Sequence, residues 1–367
     1  SSDLSMSALS AQLKIWLGGP EVSYNAREVL EKYPMAEGIM RGEGEETFAE
    51  LVAYYEGGGA AELINIQGIT FREKEKQIAA TPFRQIMDLS KVPFVYGDIE
   101  NFKNRIIYYE TSRGCPFCCS YCLSSVDKTV RFRSLPIVKK ELDAFLEAKV
   151  PQVKFVDRTF NCNRQRAIDI WSYLVEHDNG ITNFHFEVAA DLLNEEEMEL
   201  IKTMRPGLIQ LEIGVQSTNP ETIRAIHRHM DLKKLEHCVN RVHSFRNIHQ
   251  HLDLIAGLPY EDYDTFHQSF NDVYQMKPDQ LQLGFDAPAR AALTASLKAE
   301  SQGQGPLGAV SNFLRVQTGA RSVEPREGTD PDAVLSRATA LVAQGDAGKD
   351  GKYRFRMPER SEERRVG

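Results

Sequence analysis

The sequence predicts an α/β protein with a parallel sheet: an incomplete β/α barrel of six strands, preceded by a shorter β-α-β-α unit. Between residues 105 and 285, six short apolar segments alternate with five segments of helical periodicity. Parallel strands need a long crossover, usually a helix, and this alternation supplies it. Residues 13–55 show the same strand–helix order, and several strand segments of the second region alternate polar with apolar residues.

The composition excludes several classes of protein. The chain has 367 residues, 42% of them hydrophobic and 26% charged, which is enough for one large domain or two. Its net charge of −8 argues against general nucleic-acid binding. No apolar run approaches a membrane-spanning length, and no signal peptide opens the chain. Because clustered cysteines fit a reducing compartment, we expect a cytoplasmic protein with no membrane partner.

The first region predicts a small parallel sheet. Its elements are a strand at 13–17, a Gly-Gly-Pro turn, a helix at 27–32, a strand at 38–40 and a helix at 45–55. On the last helix, Phe48, Leu51, Val52 and Tyr55 share one apolar face. Two strands and two helices are too few to bury a doubly wound core alone. A hairpin at 64–78 and an extended linker at 81–100 are predicted to follow.

The second region predicts the barrel. Its strands are expected at 106–110, 153–156, 184–188, 208–215, 250–256 and 280–285, and its helices at 136–149, 164–177, 195–204, 220–228 and 263–276. Strict alternation of this kind gives a parallel, right-handed β/α fold. Six strands leave it two units short of a closed eightfold barrel.

Polar residues recur at every second position of several of these strands. They are Asn183, His185 and Glu187; Gln210, Glu212, Gly214 and Gln216; His249, His251 and Asp253; and Gln280 and Gln282. The apolar faces must meet the helices, so the polar faces are expected to point into the barrel. Burying them without partners would cost several kcal/mol, which predicts a lumen that holds a polar ligand or water. The three histidines are candidates for substrate contact or proton transfer, or else packed core residues.

Four of the six cysteines fall within eight positions: Cys115, Cys118, Cys119 and Cys122. Such dense thiolates are typical of iron–sulfur or zinc sites. The side chains of neighbouring Cys118 and Cys119 diverge, so one site uses either C-x3-C-x2-C or C-x2-C-x3-C, and spacing alone does not separate them. Either set has three ligands and leaves one iron of a cluster open, whereas a closed zinc site needs a fourth ligand.

The spacing C-x3-C-x2-C, with Tyr121 before the last cysteine and a predicted strand before the loop, resembles the signature of radical S-adenosylmethionine (SAM) enzymes. The resemblance implies that Cys115, Cys119 and Cys122 hold a [4Fe–4S] cluster whose open iron binds SAM, and that Cys118 is a bystander. It also implies a partial (β/α)6 TIM-like barrel, reductive cleavage of SAM to a 5′-deoxyadenosyl radical, and an electron donor such as flavodoxin or ferredoxin.

Further positions match SAM-contacting residues of radical SAM relatives similar to oxygen-independent coproporphyrinogen oxidase. The resemblance implies that Glu187, Gln216 and Arg228 contact the methionine and ribose parts of SAM, and that Asp253 contacts the ribose hydroxyls.

Three more positions carry the same resemblance. It implies that Tyr121 and Ile255 flank adenine, and that Asp157, after the second strand, lies where relatives meet the SAM amino group. Most relatives carry a Gly-Gly-Glu run at this last place, and this chain has V-D-R-T-F-N instead.

The first region resembles the second half of the Rossmann-like cobalamin-binding domain that precedes many radical SAM domains, through L-G-G-P-E-V and R-G-E-G-E-E-T-F. A plain βα turn explains the Gly-Gly pair as well. Phrases such as Y-Y-E-T-S-R-G-C-P-F and E-I-G-V-Q-S-T-N are similar to a bacterial group of B12-binding-domain radical SAM proteins of unassigned substrate. The resemblance implies that cobalamin could be a cofactor, with methyl transfer as an alternative reaction.

These patterns divide the chain into a partial B12-binding-like domain (1–60), a hairpin and linker (61–104), a radical SAM core (105–285) and a tail (286–367). The resemblance stops at residue 285, where the composition shifts to Ala, Gly, Arg and Ser, and the final R-S-E-E-R-R-V-G resembles a translated sequencing adapter. We therefore expect a chain truncated at both ends, with a foreign, frame-shifted or disordered tail.

Two other functional classes are alternatives. A tRNA-modifying methylthiotransferase should carry a second cysteine triad and a basic extension, and only Cys162 and Cys238 remain outside the cluster. A non-catalytic zinc or iron–sulfur binding protein would carry the cysteines without SAM chemistry. The substrate, a small molecule or a macromolecule, is not identified by fold analogy.

Overall fold

The computed structural model describes residues 14–59, 62–73, 77–102, 105–125 and 129–285. They fall into two compact units: one runs to Val95 and includes Arg131–Ser134, and the other begins at Tyr96 and omits that short segment. Within these ranges no helix has the length and apolar character needed to cross a bilayer. The hypothesis about the tail concerns residues 286–367, which lie outside the described residues.

The first unit contains one four-stranded sheet. Its elements are β1 Ile15–Leu17, α1 Pro20–Ser23, α2 Ala26–Lys32, β2 Ala36–Met40, α3 Glu45–Tyr55, β3 Ile69–Arg72 and β4 Ile78–Ala80. The strand order is β1-β2-β3-β4, with β1 and β2 parallel and both β2–β3 and β3–β4 antiparallel. The predicted hairpin is present, and it extends the sheet of the preceding β-α-β-α unit.

Helices cover both faces of this sheet. Leu17 packs with a buried cluster that contains Val29 and Leu30 of α2. Its neighbour Trp16 packs with a second cluster that contains Leu51 of α3 and Ile69 of β3. Since consecutive strand residues point to opposite faces, α2 and α3 lie on opposite sides of the sheet.

The predicted apolar face of α3 is only partly buried. Leu51 is 3% exposed, but Phe48, Val52 and Tyr55 are 58%, 39% and 42% exposed. The helix packs through Leu51 and the buried Thr47, one turn earlier, so its orientation differs from the prediction by part of a turn.

The second unit contains the six-stranded sheet. Its elements are β5 Ile107–Tyr109, β6 Ser112–Arg113, α4 Leu135–Glu147, β8 Gln152–Phe155, α5 Arg164–Glu176, β9 Asn183–Val188, α6 Glu195–Thr203, β10 Ile209–Gln216, α7 Pro220–Ala225, α8 Leu232–Phe245, β11 His249–Ala256, α9 Tyr263–Gln275 and β12 Gln280–Phe285, while β7, Arg131–Phe132, belongs to the first unit. The strand order is β12-β11-β10-β9-β8-β5, and every neighbouring pair is parallel. The predicted α/β class and incomplete barrel are confirmed.

One connection differs from the prediction. A single helix was expected at 220–228, but α7 ends at Ala225 and the fourteen-residue α8 follows. His227 adopts a left-handed conformation with φ 53°, which stops the helix before Arg228. The helix α8 has its own signal, since Asp231 caps its N-terminus and Leu235, Val239 and Val242 are buried on one face.

Aromatic packing holds the helices to the outer face of the sheet. The ring of Phe186 on β9 lies 4.4 Å from those of Phe155 and Phe160 and 6.0 Å from that of Trp171 on α5. Trp171, Phe155 and Phe186 are fully buried. The apolar core therefore lies between sheet and helices, which leaves the opposite faces of the strands for the lumen.

We expect Ile170→Ala in α5 to lower the free energy of unfolding by about 2–5 kcal/mol, because it removes fully buried methyl groups. The matched control is Ile181→Ala in the same unit, where the side chain is 51% exposed and the expected change is within about 0.5 kcal/mol. Urea unfolding followed by Trp171 fluorescence, in a Trp16→Phe background, measures both. Equal losses in the two variants would contradict the assignment of the core.

Candidate active site

A cavity of about 190 Å³ opens at the carboxyl ends of the central strands. Its wall is formed by the cysteine loop, the loops after β8 and β9, the ends of β10 and β11, and the segment after α7. The lining residues are Cys115, Phe117, Cys119, Tyr121, Cys122, Ser125, Arg158, Thr159, Glu187, Val188, Ala189, Asp191, Glu212, Gly214, Gln216, Arg228, His229 and Asp253. This is the end of a parallel β/α fold where active sites form.

The cysteine loop has a defined backbone. Gly114 has φ 95°, a left-handed conformation that turns the chain into Cys115 at low cost. The N–H of Cys122 donates to the carbonyl of Cys119 at 3.2 Å, and the N–H of Ser120 donates to the carbonyl of Ile226 at 2.9 Å. The loop is therefore tied both to itself and to the segment that follows α7.

The four loop cysteines do not share one environment. Cys115, Cys119 and Cys122 line the cavity, whereas Cys118 does not. The Sγ of Cys118 lies 3.8 Å from the carbonyl oxygen of His227, on a different side of the loop. The three cysteines of the C-x3-C-x2-C set therefore line one cavity, and Cys118, which belongs to the C-x2-C-x3-C set, does not.

Arg228 connects the cysteine loop to β10. One guanidinium nitrogen, Nη1, lies 3.9 Å from Sγ of Cys119 and 3.4 Å from the hydroxyl of Tyr121. The other, Nη2, donates to the carbonyl of Gly214. The positive charge of Arg228 is therefore placed beside one of the thiol groups that line the cavity.

Two neighbouring carboxyl groups on the lumen face have opposite pKa shifts. Burial and then the Glu212 carboxylate raise the pKa of Glu187 to about 7. The His185 side chain, followed by the Lys154 ammonium, lowers the pKa of Glu212 to about 2. Lys154 Nζ lies 2.7 Å and His185 Nε2 lies 2.9 Å from Oε2 of Glu212. Glu212 therefore remains ionised, and Glu187 can hold a proton near neutral pH.

The structure places Asp157, a predicted SAM contact, beside the start of the cysteine loop. Its side chain is 1% exposed and does not line the cavity. Its carboxylate accepts hydrogen bonds from the N–H of Thr111 at 3.0 Å, from Oγ1 of Thr111 at 2.8 Å and from Oγ of Ser112. Asp157 thus supports the start of the cysteine loop, and the next two residues, Arg158 and Thr159, reach the cavity instead.

Of the other predicted SAM contacts, all but one line the cavity. Tyr121, Glu187, Gln216, Arg228 and Asp253 all line the cavity. Ile255 does not line it; the residue is half-buried on β11. Burial raises the pKa of the Tyr121 phenol, so that group remains a neutral hydroxyl.

Several polar atoms on the cavity wall are buried without a hydrogen-bond partner among the described residues. They are Oε1 of Gln216, Nε of Arg228 and Oδ1 of Asp253. Buried groups of this kind are normally paired, so these atoms are available to a polar ligand. Three thiols on one side and paired acidic and basic groups on the other can bind a soft metal centre together with a zwitterionic molecule.

Sequence reasoning missed part of the wall. Thr159 Oγ1 lies 3.6 Å from Sγ of Cys115, and Arg158, Asp191 and His229 also reach the cavity. All four follow the end of a strand or helix, and their types alone gave no signal. Arg113, at the start of the cysteine loop, does not line the cavity, and its guanidinium donates to both carboxylate oxygens of Glu110 at 2.9 and 2.7 Å.

Residues 109–273 match the radical SAM superfamily. An uncharacterised methyltransferase of Pyrococcus horikoshii is 26% identical over 281 residues, 74% of this chain and 60% of that protein. The anaerobic magnesium-protoporphyrin IX monomethyl ester cyclase of Cereibacter sphaeroides is 24% identical over 281 residues, 72% of this chain and 45% of that protein.

A solved structure gives the same fold. It is that of TsrM, a radical SAM methyltransferase from Kitasatospora setae with cobalamin and a [4Fe–4S] cluster bound. Its TM-score is 0.60 at 17% identity, and the match covers 74% of this chain and 56% of that one. The chain therefore spans about half the length of these relatives, and the structural likeness shows the fold alone.

We expect the stability of the parent protein, relative to Asp157→Asn, to fall as the pH rises from about 4 to 6. Burial raises the pKa of Asp157 to about 6 from its ordinary value of 3.8. The folded state then holds a proton that the unfolded state releases, so this contribution is present below the unfolded pKa and is lost as the pH rises through the folded one. At about 1.4 kcal/mol per pH unit, the change is about 3 kcal/mol.

The measurement is urea unfolding of both proteins at half-unit pH steps, because the other titrating groups cancel in the difference. If the two stability curves run parallel from pH 4 to pH 7, Asp157 is ionised throughout and the buried hydrogen bonds hold a carboxylate.

Proposed function

The chain carries a radical SAM domain, and from that premise we propose that it is a radical SAM enzyme in which Cys115, Cys119 and Cys122 hold a [4Fe–4S] cluster. The observation that supports this most directly is the separation of the cysteines, since these three line one cavity and Cys118 does not. Thiolates are the ligands that iron–sulfur clusters prefer, and three of them leave one iron open to a second ligand.

The residues of the cavity fit SAM as that second ligand. SAM carries a carboxylate, an ammonium, a sulfonium and a ribose diol, so it needs both cationic and anionic partners. Arg228 and Arg158 supply the former, and Glu187 and Asp253 the latter. The unpaired Oε1 of Gln216 and Oδ1 of Asp253 can accept hydrogen bonds from its amino and hydroxyl groups.

When bound, the cluster supplies the electron that cleaves a carbon–sulfur bond of SAM reductively. The chain's own part is binding, orientation and exclusion of water. Burial of Cys115 and Cys119 limits solvent at the cluster site, and Arg228 places a positive charge beside Cys119. Glu187, with its pKa near 7, is the cavity group best suited to hold or release a proton during the reaction.

The reaction that follows is open between hydrogen abstraction and methyl transfer. The relatives include a methyltransferase and a cyclase that match nearly the same share of this chain. The methyltransferase relative supports methyl transfer, and TsrM, whose fold is similar, has cobalamin bound. We assign no residue of this chain to cobalamin.

Two further proposals follow from the same site. An electron donor such as flavodoxin or ferredoxin would reduce the cluster. The cytoplasm would keep the thiols reduced, and all six cysteines are free.

The tRNA methylthiotransferase alternative lacks support from a second cysteine triad, since Cys238 is buried in α8 and Cys162 lies in another loop.

Anaerobic reconstitution followed by product analysis tests the function. Formation of 5′-deoxyadenosine with dithionite would support the radical reaction, and S-adenosylhomocysteine would support methyl transfer. Absence of both products, in material that contains iron, would favour the non-catalytic metal-binding alternative.

The neighbouring cysteines provide a matched pair of variants. Cys119→Ala should abolish both the binding of the cluster and the cleavage of SAM, because it removes a cluster ligand. Cys118→Ala should retain both, because this side chain lies outside the cavity. Iron analysis, visible absorption and far-UV circular dichroism measure cluster and fold. Loss of the cluster in Cys118→Ala with its retention in Cys119→Ala would reverse the ligand assignment.

A second pair of variants tests the SAM site. Gln216→Leu should weaken SAM binding about tenfold, since one lost hydrogen bond is worth about 1–1.5 kcal/mol. Gln282→Leu is the control, because Gln282 is exposed on β12 and does not line the cavity. Equilibrium dialysis with labelled SAM on the reconstituted proteins gives both dissociation constants. An unchanged value for Gln216→Leu would remove this residue from the site.

A further inference from the structure

A second cluster of side chains lies in the lumen on the same strands as the cavity. In the sheet register, His185 on β9 pairs with Lys154 and Gln210, and Glu212 on β10 pairs with His251 on β11. These residues all have inward-facing positions on the alternating strands. Glu212 lines the cavity, but His185 and His251 do not. The cluster therefore lies beside the cavity and further into the lumen.

Three of these residues bring ligand atoms close together. One ring nitrogen of His185, one carboxylate oxygen of Glu212 and one ring nitrogen of His251 lie within 4.8 Å of one another. The two imidazoles are buried, with 6% and 7% of their surface exposed, and their ring centres are 6.5 Å apart. Two imidazoles and one carboxylate form a ligand set that zinc and ferrous iron both accept.

The ring nitrogens that face the cluster have no hydrogen-bond partner among the described residues. Nε2 of His185 and Nε2 of His251 are both buried and unpaired. The first lies 2.9 Å from Oε2 of Glu212 and the second 3.1 Å from Oδ1 of Asp253, but neither ring is oriented to donate along that line. Leaving two such atoms unpaired costs free energy, whereas a cation between them would use both lone pairs.

The outer side of His185 is compatible with a metal ligand. Its Nδ1 lies 2.8 Å from the side-chain amide of Gln210. Rotating that amide by half a turn, which exchanges its oxygen and nitrogen, would let Oε1 accept a hydrogen bond from Nδ1–H. The lone pair of Nε2 would then face the cluster, as in sites where a second residue fixes the histidine tautomer.

Lys154 is the group that competes with a cation. Its ammonium lies 2.7 Å from Oε2 of Glu212 and neutralises that carboxylate. Glu212 has a second oxygen, so a metal ion and Lys154 can bind different atoms of the same group. The affinity for a cation should therefore be reduced by Lys154, though not abolished.

We propose that His185, Glu212 and His251 bind a divalent transition-metal cation of the zinc or ferrous class, at a site separate from the three cysteines. The binding atoms are Nε2 of each histidine and a carboxylate oxygen of Glu212. The site requires neither SAM nor the cluster, so it does not depend on the proposed reaction.

The test is zinc binding by the full chain after anaerobic reconstitution, so that the cluster thiolates are already occupied. Equilibrium dialysis against buffered Zn²⁺, with zinc and iron measured together by mass spectrometry, gives stoichiometry and affinity. We expect His185→Gln and His251→Gln each to weaken binding by about tenfold or more. The matched control is His249→Gln, which changes an exposed histidine on the same strand β11 and should bind as the parent does.

A fourth variant separates a metal site from a packing role of the histidines. Lys154→Met removes the competing ammonium and should strengthen zinc binding, which histidines that only pack would not do. Iron content in every sample reports on cluster and fold. Zinc binding that is absent in the parent, or equal in the parent and both histidine variants, would overturn the proposal and leave Lys154–Glu212 as a plain ion pair; the cluster assignment would be unaffected.

Discussion

Each strand of the six-stranded sheet must bury one apolar face against the surrounding helices, and this constraint sends every second side chain into the lumen. On β10, Ile209, Leu211, Ile213 and Val215 are at most 1% exposed, while the residues between them are only half-buried. Because neighbouring strands are parallel and in register, the polar positions of β8 to β11 line up in rows. The alternation of apolar and polar residues that stabilises the unit therefore also determines where its polar side chains lie.

The second determinant of the site is the short turn after α7. Three consecutive residues there hold three residues of the cysteine loop: the carbonyl of Ile226 accepts from Ser120, the carbonyl of His227 lies near Cys118, and the guanidinium of Arg228 lies near Cys119. Adjacent cysteines thus face different partners, one outside the cavity and one inside it. A helix continuing to residue 228 would have placed Arg228 on a regular helical surface instead.

Much of the architecture was predictable because it depends on periodicity. All six strands of the barrel lie within two residues of their predicted limits at each end, and the inward-facing polar residues of β9 and β10 follow from their alternation with apolar ones. His249, Gln280 and Gln282, which were also predicted to face inward, are instead exposed. The helix α8 was missed although Leu235, Val239 and Val242 have helical spacing, because the alternation of strands and helices predicts one helix for each connection and the segment 220–228 already supplied it. The orientation of α3 could not be read from its sequence, since its exposed and buried faces both carry apolar residues.

The candidate site was predictable only in part, for a different reason. The cysteines and the strand-end residues Glu187, Gln216 and Asp253 were identified from motif and position, and they do line the cavity. The choice between Cys118 and Cys119 depends on the distant turn at His227, which no local pattern reveals. Asp157 was assigned by analogy to a ligand contact, but its carboxylate is consumed by Thr111 and Ser112.

Charged residues deeper in the lumen affect the pKa values of the carboxyl groups that line the cavity. Lys154 and His185 keep Glu212 ionised, and that negative charge, added to burial, raises the pKa of its neighbour Glu187. Two carboxyl groups in register on adjacent strands therefore have different protonation states near neutral pH. A cationic group that enters the cavity would favour the ionised form of Glu187 and displace its proton. Lys154 and His185 thus influence the pKa of Glu187 through Glu212, although neither side chain lines the cavity.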